Sequence, residues 1–130
     1  FEFDDDVQAV AKRHAEGYAF SLGAMGASNR NFYVEAFVRQ GFDEVREVHR
    51  LWLDGRRDEA KALVPVDIGE KTNLLGTPAT VQGRLRAYRD VGIDELRVGL
   101  RGATIEEDLE QLGQLMDLVR DVNSETTASS

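Results

Sequence analysis

Few residues in this 130-residue chain have the type and setting to do chemistry. Arg101 closes an alternating run in which Leu96, Val98 and Leu100 interleave with Arg97, Gly99 and Arg101. A guanidinium at a strand end can hold a phosphate or carboxylate through a bidentate pair, and the competing reading is a solvated arginine. Arg97 points the same way and reads as an internal ion-pair partner or an exposed group. His14 and His49 stand alone on helical segments. Neither has a partner at a zinc spacing such as H-E-x-x-H, so both read as surface or packing residues. The opening "FEFDDD" offers three carboxylates without the spaced ligands and central glycine of a calcium loop. Its aspartates suit the positive end of a helix dipole instead. Residues 23–31, "GAMGASNRN", lack the GxGxxG spacing and follow no strand. They read as a helix break whose glycines permit tight packing, or as a loop beside a cofactor or substrate. Phe32, Phe37, Phe42 and Trp52 recur at near-helical spacing without a basic groove, which suits core or subunit contacts better than a stacking platform.

Composition narrows the classes. The chain carries 24 acidic and 16 basic residues, for a net charge of −8. A general nucleic-acid binder needs a basic face, so that class is disfavoured. There is no cysteine, hence no disulfide framework and no thiolate metal site. No apolar run approaches the roughly 20 residues that span a bilayer, and no signal peptide is visible. The expectation is a cytoplasmic protein. Because the sequence opens at Phe1 inside what reads as a structured segment, a processed or truncated product is expected.

The elements follow from spacing. Val7, Val10, Ala11 and His14 start a helix that runs through Tyr18 towards Leu22 and breaks at the two glycines. Ser28 or Asn29 can cap the next helix, "RNFYVEAFVRQ", which Gly41 ends. Asp43 starts another, with Val45, Val48, Leu51 and Trp52 on one face. A short helix, "RDEAKALV", stops before Pro65, and a last turn is expected in "PVDIGEK". No strand is expected before residue 74, and "NLLG" is a minor strand candidate. Thr77 and Pro78 supply the cap and first position of a helix carrying Val81, Leu85 and Tyr88. The alternation around Leu96, Val98 and Leu100 predicts a strand over Glu95–Leu100. Thr104 and Glu107 form a capping box for a final helix. The chain thus reads as 1–73 helical, 74–122 helix–strand–helix, and 123–130 a disordered polar tail.

The stretch "LLGTPATVQGRLRAYRDVGIDELRV" resembles the C-terminal region of luciferase-like monooxygenases. "YAFSLGAMGASNRNFYVEAFVRQGFDEVREVHRLWLDGRRDEAKALVP" resembles the helical segment of their deazaflavin-dependent branch, through Tyr18, Gly23, Met25, Gly26, Asn31, Phe32, Tyr33, Gly55, Arg56, Val64 and Pro65. The resemblance implies an α/β fold, a TIM-type (β/α)8 barrel. This chain would be its C-terminal part, with residues 1–122 mainly helical with one or two short strands.

The resemblance also implies a flavin or deazaflavin oxidoreductase using the 8-hydroxy-5-deazaflavin coenzyme (F-420) or FMN. The family's main cofactor positions lie upstream of these residues, so the chain alone is expected to be catalytically incomplete and to bind neither cofactor. The substrate or anion-binding candidates are Arg101, at the strand end that faces such an active site, with Met25 and Asn31. No catalytic or metal residue is assigned. Uncovered helix faces and strand edges predict a homo-oligomer, most simply a dimer. The alternative reading is a helical module acting in association rather than catalysis.

Overall fold

In the computed structural model, which describes residues 1–128, the segment from Ile93 to Gly102 runs without regular secondary structure. The strand expected over Glu95–Leu100 is therefore absent. Alternation specifies a pleat with two faces, but a strand also needs a partner that offers a row of donors and acceptors. Here the Gly99 carbonyl accepts one hydrogen bond from the Phe1 backbone nitrogen, at 3.3 Å, and no ladder follows among the described residues.

The sheet lies elsewhere. Strand β1 (Glu2–Phe3) pairs in parallel with β2 (Leu75–Gly76), in the register Glu2 with Leu75 and Phe3 with Gly76. Glu2 donates its amide to Leu74 and Asp4 donates to Gly76, each at 3.0 Å. β1 corrects the expectation that no strand precedes residue 74, whereas β2 falls within "NLLG". Two-residue strands carry too little alternation to be seen in sequence.

The chain divides into two compact units. The first holds residues 1–7 and the chain from Leu74 onward, with β1, β2, helix α6 (Pro78–Asp90) and helix α7 (Ile105–Ala128). Thr77 caps α6, its hydroxyl accepting from the Thr80 amide, and Pro78 takes the first position. Thr104 accepts from the Glu107 amide at 3.2 Å at the head of α7, and Glu107 reaches back to the Ala103 amide at 2.7 Å. The core gathers Phe1, Leu74, Val81, Leu85, Leu115 and Val122. Each such side chain contributes about 1.5–3 kcal/mol on burial.

Helix α7 continues to Ala128, past Asn123, where the sequence suggests a disordered tail. Buried Val122 and the pairing of Glu125 with Arg86 hold that turn on α6. The rest of the expected tail, Ser129 and Ser130, lies outside the described residues.

The second unit, Gln8–Asn73, is built from α1 (Val7–Ala24), α2 (Phe32–Arg39), α3 (Val45–Leu53), α4 (Arg57–Leu63) and α5 (Val66–Thr72). The turn expected in "PVDIGEK" is thus a seven-residue helix. Leu22, Val34, Phe37, Val45, Val48 and Ile68 dominate its core. Along α1 the inward positions Ala11, Ala15 and Ala19 are small and fully buried, so α5 comes in closely at Gly69. A Cβ at Gly69 would stand 2.8 Å from the Ala15 amide nitrogen and clash with the Ala11 carbonyl oxygen. Phe37 is buried edge-on to Tyr18 and Phe42. Phe32, by contrast, is 68% exposed and belongs to no core.

Candidate functional site

The turn after α1 is built by side chains that answer the helix's own loose ends. The last carbonyls of a helix have no intrahelical donor, and α1 has no basic residue in its last turn. Gly26, at φ +108°, lets the chain reverse, since a Cβ there would stand 2.9 Å from the Arg30 carbonyl. The Arg30 amide closes the turn on the Ala27 carbonyl at 3.1 Å.

Asn31 then works in two directions. Its Oδ1 accepts from the Tyr33 and Val34 amides at 2.9 and 3.2 Å, which caps α2. Its Nδ2 donates to the Ser21 and Leu22 carbonyls at 3.2 and 2.9 Å, which closes α1. The cap of α2 is therefore Asn31, not Ser28 or Asn29. With both oxygen lone pairs and both amide hydrogens engaged, and only 3% exposure, Asn31 has no capacity left for a ligand.

His49, read from sequence as ordinary, sits at the centre of this construction. Its Nδ1 lies 2.7 Å from the Leu22 carbonyl and its Nε2 lies 3.1 Å from the Ser28 carbonyl. Carbonyl oxygens only accept, so a ring nitrogen must carry a proton to bond either of them. Around it opens a cavity of about 180 Å³ lined by Asn29, Arg30, Asn31, Val34, Glu35, Arg46 and His49. Arg30 Nε donates to Glu35 at 3.2 Å, whereas the Arg46 side chain makes no hydrogen bond or ion pair among the described residues. The signal in sequence was the spacing of Arg46 and His49, one helical turn apart on α3. What they face depends on the path of the turn at Gly26, which spacing does not reveal.

Met25 lies in the same turn and is 43% exposed. Arg101 belongs to the first unit, where it is exposed in the irregular segment before α7. With no strand at Glu95–Leu100, its expected place at a strand end is lost. Arg97 is likewise exposed.

The first unit offers two further features. The carboxyl ends of β1 and β2 lead into Asp4–Asp6 and into Thr77, with Asp4 Oδ1 accepting from the Asp6 amide at 2.8 Å. Ligands of α/β folds gather at such edges, but three exposed carboxylates make this one repel anions. A groove of about 360 Å³ also runs beside α6 and α7, with apolar walls from Leu85, Leu112, Leu115 and Val119. Its arginine, Arg89, is taken up by Asp90, Glu125 and the Val122 carbonyl. Among the described residues no uncommitted guanidinium converges there, and the groove reads as an incompletely covered core face. No group of three or more His, Cys, Asp or Glu side chains that could hold a metal ion occurs among the described residues. No helix among them is long and apolar enough to cross a membrane.

One ion pair gives a measurable pH dependence. Arg86 grips Glu125 through Nε and Nη2 at 2.8 and 2.7 Å, and these bonds hold the Glu125 carboxyl below its ordinary value. A lowered folded-state value means that the unfolded chain binds the proton more readily. The stabilisation is therefore present above about pH 4.3, the value of a free glutamate. It is lost as pH falls through the lowered folded value. Far-UV circular dichroism should show acid loss of helix at the end of α7, and Arg86→Gln should remove that part of the titration.

Comparisons with known proteins add the following. Over 95 residues, 72% of this chain and 27% of the relative, it is 28% identical to a Mycobacterium tuberculosis protein whose name assigns it as a coenzyme F420-dependent oxidoreductase. Over 92 residues, 67% of this chain and 25% of the relative, it is 30% identical to an FMNH(2)-dependent dimethylsulfone monooxygenase of Pseudomonas fluorescens. The chain thus spans about a quarter of the length of the curated relatives it matches. No family model matches it, and no solved structure matches it significantly.

Proposed function

We propose that this chain is the C-terminal part of a luciferase-like oxidoreductase that uses a flavin or deazaflavin. The observation that carries the reading is similarity, over most of the chain, to two proteins whose names specify such cofactors. The parallel pairing of β1 with β2 supports it. Parallel strands require a crossover, as successive strands of a (β/α)8 barrel do. The cofactor supplies hydride or oxygen chemistry when bound in the whole protein. On this reading the described residues contribute to the frame: the α6 cap at Thr77, the strand ends, and the α1–α2 turn. Hydride transfer with the deazaflavin is favoured over oxygen insertion with FMN, because the "AMGASNRNFY" region resembles the deazaflavin branch.

A second reading has its own observation. Val91, Ile93, Leu96, Leu100, Ile105 and Leu109 are all 40–76% exposed. Apolar surface of this extent marks an interface, and a second copy of the chain, giving a symmetric dimer, is the simplest cover. Sedimentation velocity of the chain and of the whole protein, each with FMN or the deazaflavin and followed at the cofactor's own absorbance, tests both readings. We expect cofactor to travel with the whole protein, and the chain alone to sediment as a dimer without it. A whole protein that carries neither cofactor would overturn the first reading. A monomeric chain at micromolar concentration would overturn the second.

A further inference from the structure

We propose that the cavity beside the α1–α2 turn is a phosphate-binding site, with Arg46 and Arg30 as its ligands and His49 holding the turn that carries Arg30. The inference does not depend on the oxidoreductase reading. The cavity holds two guanidiniums and one imidazole against a single carboxylate, Glu35, in a chain whose net charge is −8. Local charge is thus opposite in sign to that of the molecule. Arg46 has five N–H donors and engages none of them among the described residues. Arg30 directs Nε to Glu35 and keeps its terminal nitrogens for another acceptor. This pair is largely solvent-exposed, at 79% and 40% of the two side chains, so little is lost when it shares Arg30 with an anion.

The two arginines come from different elements, Arg30 from the turn and Arg46 from α3. A planar carboxylate is satisfied by one guanidinium fork, whereas a tetrahedral phosphate has acceptor oxygens for both. His49 makes no ligand bond, since both its nitrogens face carbonyls. Those same bonds hold the turn that carries Arg30. Asn31, fully committed to the two helix ends, fixes the wall. A volume of about 180 Å³ admits a phosphate group.

The test is a titration of the whole 130-residue chain with inorganic phosphate at constant ionic strength, followed by NMR of the arginine Nε–H and histidine ring signals. Saturable shifts at Arg30, Arg46 and His49 are expected, with a Kd on the order of 1 mM. Arg46→Ala should raise that Kd about tenfold, the loss of one charge-assisted contact. Arg46→Lys should restore part of the affinity, and Arg39→Ala, at the far end of α2, should leave it unchanged. Arg46 is exposed and unbonded, so the folded state, checked by circular dichroism, should persist in its variants. A parallel titration with glycerol 2-phosphate separates the sources. Tighter binding than phosphate marks a site for a phosphate monoester on a larger ligand, and weaker binding marks one for the free ion. Shifts that do not saturate, or equal weakening by Arg46→Ala and Arg39→Ala, would overturn the proposal.

Discussion

Gly69→Ala should destabilise the second unit by on the order of 3 kcal/mol, the upper part of the range for forcing extra atoms into a packed interior. The new methyl would meet backbone, not a flexible side chain. It would stand 2.8 Å from the Ala15 nitrogen and 2.9 Å from the Ala11 carbonyl carbon, and would clash with the Ala11 oxygen. Backbone in mid-helix cannot swing aside, so α5 must shift as a body. That shift would draw Ile68, fully buried, away from the core it shares with Leu22 and Val48. Alanine favours helix over glycine by up to about 1 kcal/mol, which offsets only part of the cost. Urea unfolding of the two proteins measures the difference. A variant within 0.5 kcal/mol of the parent would show that α1 and α5 do not approach this closely.

Asn31→Ala should be comparably damaging, at about 2–4 kcal/mol. Loss of an N-cap costs about 0.5–2 kcal/mol, and leaving buried carbonyls without donors adds about 1–3 kcal/mol. The aspartate variant separates the two halves of its role. Asn31→Asp keeps an oxygen for the Tyr33 and Val34 amides, so the α2 cap survives. It replaces the donor to the Ser21 and Leu22 carbonyls with a second acceptor, so the end of α1 is left facing negative charge. Asn31→Asp should therefore recover the helicity of α2 while remaining well below the parent in stability. Equal stability of the aspartate and asparagine proteins would mean that closing α1 contributes nothing.

Much of the helical frame was legible because its signals are local. Thr77 before Pro78, and Thr104 three residues before Glu107, place the heads of α6 and α7 from sequence alone. The cap of α2 was misplaced at Ser28 or Asn29, because three residues in four could cap and only burial singles out Asn31. The strands failed for the opposite reason. Leu96, Val98 and Leu100 alternate well, yet a strand is a relation between two segments, and no second segment among the described residues offers that edge a ladder. Glu2–Phe3 and Leu75–Gly76 do pair, though neither is long enough to show a period. The candidate site was half legible. "GAMGASNRN" was picked out by its glycines, but His49 and Arg46 join it only through the fold.

The parallel pair of β1 and β2 has a kinetic consequence. Its partners lie on either side of the whole Gln8–Asn73 unit, so the sheet closes a very long loop. Closing such a loop in an open chain costs entropy that grows with its length, and contacts distant in sequence form late. Within the inserted unit the helices are short and consecutive, and α3 meets α4 across a three-residue link, Asp54–Arg56. Local contacts of that kind form quickly. Once they have formed, the loop no longer behaves as a flexible chain but as a folded body with two tethers. Closing the strand pair then costs less entropy than it would across an open chain of the same length.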